Sequence, residues 1–357
     1  MRISDKQVFV GCDISKKTLD FAVHRRECPE KAFPHVQVAN TLEGFRAFKK
    51  WIKGLGHSLD QVVVFVEHTG VYGEAVCDYL FKMKISFCLV NPTSIKASFA
   101  IAKGKDDKID SQRLAKYGYK EREDLNESTP VPMVIRRIRN LLSERRAIVK
   151  AKVAIINRCK TIAKTTNTYK RGIKIVEEFK AQIKAVEHDI LAIIESDEAI
   201  KRNFDLLRSV TCIGLINAAS TIVATENFSR FSNARQYASF ICVAPFHHTS
   251  GISVHGATRV SKKGHTELKT DLTLAARAAI QNYPEFRAYF DRKSAEGKSY
   301  GTILNAVKFK LITRMFAVIK RGVPYVDSHK HTTIDPLWNY RNKEGIKGVI
   351  TDNVSRS

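Results

Sequence analysis

The strongest constraint in this sequence is a run of five apolar residues, 62–66, that ends in a carboxylate, Glu67. A short run rich in β-branched residues is typical of a strand buried on both faces. Such a strand lies inside a sheet that helices cover on both sides. A carboxylate at its end is costly unless it is paired or bound to a cation. The sequence therefore predicts an α/β domain in which the carboxylate at the end of this buried strand is paired or bound to a cation.

The segments around this strand alternate between strand and helix patterns. Three strand-like segments come first, and crossover helices then separate the later strands. This order predicts a mixed sheet with helices on both faces, which is the ribonuclease-H-like layout. The predicted strands are 7–14, 18–24, 34–40, 61–70 and 85–92, and the predicted helices are 41–55, 73–83 and 106–119.

A second region is set apart by its charge. Residues 131–175 contain 13 Lys and Arg, and their only acid is Glu144. The pattern predicts a helix over 134–164 and a second helix whose apolar residues over 173–193 follow a near-heptad spacing. Either an antiparallel hairpin within the chain or a coiled coil between protomers fits this pattern.

The whole chain is also basic, with 60 Lys and Arg against 36 Asp and Glu, a net charge of +24 and a pI of about 9.8. This charge favours a polyanionic partner, nucleic acid above a membrane surface. No apolar stretch is long enough to span a membrane, and the start of the chain does not resemble a signal peptide. The 7 cysteines form no C-x-x-C motif, which predicts a cytoplasmic protein without disulfides or zinc.

A third region, 204–325, is predicted to be mainly helical, with a helix–turn–helix segment around 211–214. Residues 242–266 are rich in Gly, Ser, His and Lys and are predicted to be irregular. We therefore expect four parts along the chain. They are an α/β domain over 1–125, a basic helical connector over 126–200, a mainly α C-terminal domain over 201–330 and a tail over 331–357.

Four acids of the first domain form a candidate metal site. Asp13 and Glu67 end two strands that are neighbours in the predicted sheet, while Asp107 and Asp110 share one face of the following helix. Four carboxylates around one cleft suit Mg²⁺, or Mn²⁺, in phosphodiester chemistry. Each acid also has an ordinary explanation as a turn residue, a salt-bridge partner or a helix-dipole partner. Their joint positions in a basic protein favour the metal site.

A serine in the irregular segment is a candidate nucleophile. Ser250 precedes Gly251, which leaves its hydroxyl accessible, and histidines and basic residues surround it. From spacing alone, an ordinary turn serine is the more common explanation.

These residues, in this order, resemble the insertion-sequence-110 type of transposase, which is related to Piv-type DNA invertases. The resemblance covers about residues 7–325. Its acid motifs fall on V-G-C-D-I-S-K, V-E-H-T-G-V-Y and K-D-D-K-I-D-S, and its serine loop falls on A-P-F-H-H-T-S-G. Asp106 and Ser111 stand where the family often has Thr and Ala. Thr211 and Cys212 stand where it commonly has Pro and Gly.

The resemblance implies a site-specific DNA recombinase with a RuvC-like domain whose catalytic acids are Asp13, Glu67, Asp107 and Asp110. It assigns the nucleophile to Ser250, with Ser253 and Ser261 as alternatives. It also implies a structured guide RNA and assembly into dimers or tetramers. The residues expected to contact nucleic acid are Arg136, Arg137, Arg139, Arg145, Arg146, Lys150, Lys152, Arg158, Lys160, Lys262 and Lys263.

Three other classes compete with this interpretation. A RuvC-like nuclease or junction resolvase would use the acids and water without the serine. A non-catalytic nucleic-acid-binding protein would need neither. An actin-like kinase would share the first strand, but the charge of +24 and the lack of a glycine-rich nucleotide loop disfavour it.

Overall fold

The protein is described by a computed structural model that covers residues 2–27, 33–67, 70–98, 106–250, 254–260 and 265–326. Its chain divides into two compact units, Met1–Pro132 and Met133–Ser357. Most of the predicted connector and the predicted C-terminal domain thus belong to one unit. The predicted tail, together with Lys262 and Lys263, lies outside the described residues.

The first unit is built on the predicted mixed sheet, with the strand order β3-β2-β1-β4-β5. β1 pairs antiparallel with β2, and β2 pairs antiparallel with β3, while β1, β4 and β5 run parallel. The apolar run is therefore a central strand between two parallel neighbours, as predicted. The strands are β1 Val8–Ile14, β2 Thr18–Arg25, β3 His35–Ala39, β4 Val62–Glu67 and β5 Ser86–Val90.

Helices cover both faces of this sheet. Val8, Val10 and Cys12 of β1 belong to one apolar core, together with residues of α1 and α2, whereas Phe9 belongs to a second core with residues of α4. Because side chains alternate along a strand, the two cores lie on opposite faces. The helices are α1 Leu42–Gly54, α2 Glu74–Lys82, α3 Pro92–Ser98 and α4 Asp107–Lys120.

The backbone of α4 lies unusually close to the sheet. A Cβ atom on Gly11 of β1 would lie 2.0 Å from the carbonyl oxygen of Ser111, and one on Gly118 of α4 would lie 2.3 Å from the ring of Phe65. Ser111 is fully buried, and its hydroxyl donates to the carbonyl of Lys108 at 2.8 Å. Two glycines, one on each element, therefore allow the helix to reach the strands.

The second unit begins with the basic region, which forms two long helices, α5 Met133–Cys159 and α6 Asn167–Glu195. Arg145 Nε lies 2.7 Å from Glu187 Oε1, and Gly172 of α6 packs against the Cys159 sulfur of α5. These contacts require an antiparallel hairpin, which confirms that alternative within one chain. The heptad positions Val176, Ile183, Val186, Ile190 and Ile193 are buried in this unit.

The remainder of the second unit is mainly helical, as predicted. α12 contributes Val307, Leu311, Ile312 and Met315 to the interior, all of them fully buried. The helices are α7 Glu198–Ser209, α8 Leu215–Thr225, α9 Ala234–Phe240, α10 Thr266–Asn282, α11 Pro284–Ala295 and α12 Tyr300–Arg321.

Two features of this unit differ from the sequence-based expectation. Part of the segment predicted to be irregular forms an antiparallel pair, β6 Pro245–Ser250 and β7 Val254–Val260. A helix that was not predicted, α11, begins at Pro284, because proline at the first helical position loses no backbone hydrogen bond. Among the described residues, no helix is both long and apolar enough to cross a membrane.

The close contact at Gly11 yields a stability prediction. Gly11→Ala places a methyl group against the backbone of α4, so we expect the free energy of unfolding to fall by about 3 kcal/mol. Gly54→Ala is the matched control, because a Cβ there meets nothing within 4 Å at the end of α1, and it should leave stability unchanged or slightly raised. Urea unfolding of both variants measures the difference. Equal stabilities would show that α4 is not held by this contact.

Candidate active site

The first two acids of the predicted cluster meet at the carboxyl ends of two parallel strands. β1 and β4 pair in the register Cys12↔Val66, so Asp13 and Glu67 follow at the next step of both strands. Alternation places Asp13 on the face of Phe9 and Gly11, and Glu67 on the face of Val63 and Phe65. That is the face covered by α4. The sequence prediction that these two strands are neighbours is confirmed.

The other two acids lie in the first turn of α4. The helix is capped by Asp106, whose side chain accepts a hydrogen bond from the backbone N–H of Lys108 at 3.0 Å. With Asp106 used as the cap, Asp107 and Asp110 fall in the first turn, and Asp110 directly precedes Ser111, whose carbonyl approaches Gly11. The close packing of α4 thus brings its acidic end toward the end of β1.

The charges of three of the predicted acids act on the fourth, Asp13. The pKa of Asp13 is raised from 3.8 to about 6, first by burial and then by the charges of Asp107, Glu67 and Asp110, in that order. A backbone hydrogen bond at Ile14 opposes the rise. All three other acids of the predicted cluster therefore lie within electrostatic range of Asp13, which is half-buried.

One acid of the cluster has a described cationic partner. Asp110 forms an ion pair with Arg113, Oδ1 to Nη1 at 2.8 Å. Within the part of the chain that the structure describes, no three His, Cys, Asp or Glu side chains are close enough together to hold a metal ion as they stand. The donor type fits a hard cation, since all four groups are carboxylates. The arrangement is a concentration of negative charge rather than a closed ligand cage.

Sequence reasoning missed a fifth acid beside this cluster, Asp20. It pairs with Asp13 in the antiparallel register of β1 and β2 and is almost fully buried. Its carboxylate lies 2.8 Å from His35 Nε2 and accepts hydrogen bonds from the amide of Gln37 at 3.0 and 3.3 Å. These contacts tie β3 to β2. The signal in the sequence was an aspartate between two apolar residues, Leu19 and Phe21, of a predicted strand.

The candidate serine lies in the second unit. Ser250 ends β6 and pairs with Val254 of β7. The side chains of both strands, and the alternatives Ser253 and Ser261, lie outside what the structure describes. The acids and the candidate nucleophile thus belong to separate compact units of the chain.

The basic residues of α5 divide into two groups. Arg136 is only 5% exposed, so its burial removes it from the surface on which it was expected to contact nucleic acid. Arg145 is paired with Glu187 as described above, and Arg139 is half-buried. The remaining cations of the predicted set are at least partly exposed, namely Arg137, Lys150, Lys152, Arg158 and Lys160.

Arg146 also points inward, toward the helix that follows the β6–β7 hairpin. Its guanidinium lies 2.6 Å from Glu267 and 3.3 Å from Asp271, both on α10, and it donates to the hydroxyl of Ser220 on α8. Burial raises the pKa of Asp271, and the charge of Arg146 opposes that rise. Arg146 therefore links α5 to α10 through ion pairs, a role that the sequence pattern did not indicate.

Comparison with known proteins shows the family of the chain. A family model for IS110-type DEDD transposases, described as "Transposase", matches residues 10–168. A second model, described as "Transposase IS116/IS110/IS902 family", matches residues 204–291. The chain belongs to the IS110 family of transposases, and it is a DNA transposase or recombinase whose substrate is DNA.

Its relatives include proteins named for DNA inversion. The pilin gene-inverting proteins of Moraxella bovis and Moraxella lacunata are each 26% identical over 325 residues, which cover 89% of this chain and 98% of each relative. An uncharacterized 43.6 kDa protein of insertion element IS110 from Streptomyces coelicolor is 30% identical over 144 residues, which cover 40% of this chain and 34% of that protein.

The crowded carboxylates yield a pH-dependence prediction for the metal-free protein. The folded chain binds the Asp13 proton more tightly than the unfolded chain does, since the pKa is about 6 rather than 3.8. Stability should therefore fall as pH rises from about 4 to about 6, and the cost should be fully present above that range. In EDTA at neutral pH, Asp13→Asn should raise the free energy of unfolding by about 1 kcal/mol, because solvent screening reduces the full effect.

The matched control for this prediction is Asp124→Asn, which alters an exposed carboxylate of the same unit. It should leave both the stability and its pH profile unchanged. Denaturant unfolding across this pH range measures both variants. Loss of stability in Asp13→Asn would mean that the carboxylate is satisfied in the fold, and the crowding argument would then be wrong.

Proposed function

We propose that this transposase exchanges DNA strands with a composite site, in which the four acids bind a divalent cation and Ser250 is the nucleophile. The observation that carries the proposal is the convergence of three carboxylate charges on Asp13 at the ends of β1 and β4. The strand order β3-β2-β1-β4-β5, with helices on both faces, supports a ribonuclease-H-like assignment for the first unit.

Asp13, Glu67, Asp107 and Asp110 are the residues that would hold the cation. Mg²⁺ prefers carboxylate oxygens and commonly retains several waters, so it does not require a closed protein cage. When bound, Mg²⁺ would polarise the scissile phosphate and offset its charge.

Ser250 is proposed to attack the phosphorus of one DNA strand. The bond from its Oγ to phosphorus forms as the bond from phosphorus to the leaving deoxyribose oxygen breaks, and the serine proton is passed to that oxygen. One phosphodiester replaces another, so rejoining needs no nucleotide hydrolysis. The absence of a G-x-x-x-x-G-K-[ST] motif from the sequence is consistent with this chemistry.

We further propose that the exposed cations of α5 contact nucleic acid, including a structured guide RNA, and that the chain acts as a dimer or tetramer. The described ion pairs of α5 leave its outward-facing cations available for phosphates. A second copy would allow the acids of one chain to act with the serine of another. The names of the Moraxella relatives suggest that the same strand exchange can produce inversion as well as transposition.

The decisive experiment for the nucleophile uses the full-length protein, DNA carrying the ends of its mobile element, the flanking RNA and Mg²⁺. We expect a covalent protein–DNA adduct on a denaturing gel, with the mass of the modified peptide mapped to Ser250. Ser250→Ala should abolish the adduct and cleavage together, since the nucleophile is lost, by at least about 10³-fold. Asp13→Ala should do the same without affecting DNA binding in EDTA.

Ser239→Ala is a control, because Ser239 lies in α9 of the same unit and is not part of the serine segment; it should retain both products. Metal-dependent cleavage by Ser250→Ala without an adduct would replace the proposal with a RuvC-like nuclease that uses water. Full activity of Asp13→Ala would instead support a binding protein without metal chemistry.

The division of the α5 cations yields a second prediction. Replacing the exposed Arg137, Lys150 and Arg158 with Gln should weaken DNA binding about tenfold and lower the slope of log K against log salt by about 2 to 3, because three phosphate contacts are lost. Fluorescence anisotropy over a salt series measures this effect. The control, Lys201→Gln with Lys298→Gln and Lys320→Gln, removes the same charge from exposed positions outside α5. Equal losses in both triple variants would exclude a specific role for α5.

A further inference from the structure

A basic groove lies between α1 and α2 of the first unit and is not part of the acid cluster. It has a volume of about 490 Å³ and is open to solvent. α1 and α2 pack on the sheet face of Val8 and Val10, whereas Asp13 and α4 belong to the opposite face. The groove and the acids are therefore separated by the sheet itself.

Five cations line this groove, and no acid is among its lining residues. Arg46, Lys49, Lys50 and Lys53 are spaced at i, i+3, i+4 and i+7, which places them on one side of α1. Lys82 of α2 faces the same space. Among the described residues, none of the five is in an ion pair, and the Lys49 ammonium lies 3.4 Å from the thioether sulfur of Met83 instead.

The interior of the groove is apolar. Leu42, Tyr79 and Met83 line it together with the cations. Tyr79 is anchored in the core, whereas Leu42 is 48% exposed at the start of α1. An apolar floor with a cationic rim matches a ligand that carries both flat apolar surfaces and regularly spaced negative charges.

We propose that the α1–α2 groove binds a single-stranded segment of nucleic acid, with its phosphates on the lysines and an unstacked base or sugar over Leu42 and Tyr79. The stripe from Arg46 to Lys53 covers about 10 Å of helix at 1.5 Å per residue, enough to meet successive phosphates of one strand. A compact duplex keeps its bases stacked inside and cannot use the apolar floor. This site is additional to the proposed acid–serine chemistry and does not depend on it.

The test measures binding of the full-length protein to 20-nucleotide dT and rU oligomers in EDTA, which excludes cleavage. Lys49→Gln with Lys50→Gln and Lys53→Gln should raise the Kd about tenfold and lower the salt slope by about 2, at about 0.7 per phosphate on a single strand. The control is the Lys201, Lys298 and Lys320 triple variant, which has the same net charge and should change Kd by less than about twofold.

A photo-crosslinking amino acid in place of Leu42 gives a local readout that overall charge does not affect. We expect it to capture the oligomer, and capture should fall at least about fivefold in the triple lysine background. Equal affinity for dT and rU would mean recognition of phosphate and base alone, and tighter rU binding would add recognition of the 2′-hydroxyl. Both results support the proposal.

Three results would overturn it. The first is an equal loss of affinity in the groove and control variants, which would show only a general charge effect. The second is crosslinking to a duplex as strong as crosslinking to a single strand. The third is poly-glutamate of matched charge competing as well as the oligomers, which would assign the groove to an acidic protein segment. Thermal melting of each variant verifies that these exposed substitutions leave the fold intact.

Discussion

The packing of α4 directly on β1, which is possible because residue 11 has no side chain, is the contact on which the rest of the first unit depends. A helix normally stands off a sheet by the length of the side chains between them. Here the backbone near Ser111 takes the place of a Cβ on Gly11. This approach carries Asp107 and Asp110 toward Asp13, where burial and then the charges of Asp107, Glu67 and Asp110 raise the pKa of Asp13 to about 6. The apolar core on the same face, which includes Phe9 of β1 and Leu114 of α4, stabilises this packing against the repulsion between the carboxylates.

Sequence reasoning was most successful where the apolar pattern of a segment and its place in the strand order led to the same prediction. The apolar run ending in Glu67 predicted a central parallel strand, and the order of strands predicted Asp13 as the neighbour of Glu67, which the register confirms. The close contact of α4 was not predictable, since it depends on pairing Gly11 with a residue one hundred positions away. Asp20 was missed because its partners His35 and Gln37 belong to another strand.

In the basic region, the number of charges did not predict which side chains face solvent. Composition predicted a surface that binds nucleic acid, but Arg136 is buried, and Arg145 and Arg146 form ion pairs within the protein. Arg145 meets Glu187, and Arg146 meets Glu267 and Asp271, which lie more than one hundred residues along the chain from it. Positive charge in this helix therefore has an observed use in the ion pairs of Arg146 with α10, and a proposed one in phosphate contact on the exposed side. Only the tertiary contacts distinguish the exposed cations of α5 from those that are paired within the protein.

In the proposed mechanism the acid cluster acts on a phosphate that its own charge repels, and this places a requirement on the rest of the molecule. Until a cation is bound, the negative charge around Asp13 opposes the approach of DNA. The attraction would then come from other surfaces, and the described structure offers two basic ones, the outward side of α5 and the α1–α2 groove. The groove lies on the sheet face opposite the acids, so a segment held there is away from the proposed cutting site. Recombination requires at least two strands to be held at once, and two separate basic surfaces meet that requirement where a single one beside the acids would not.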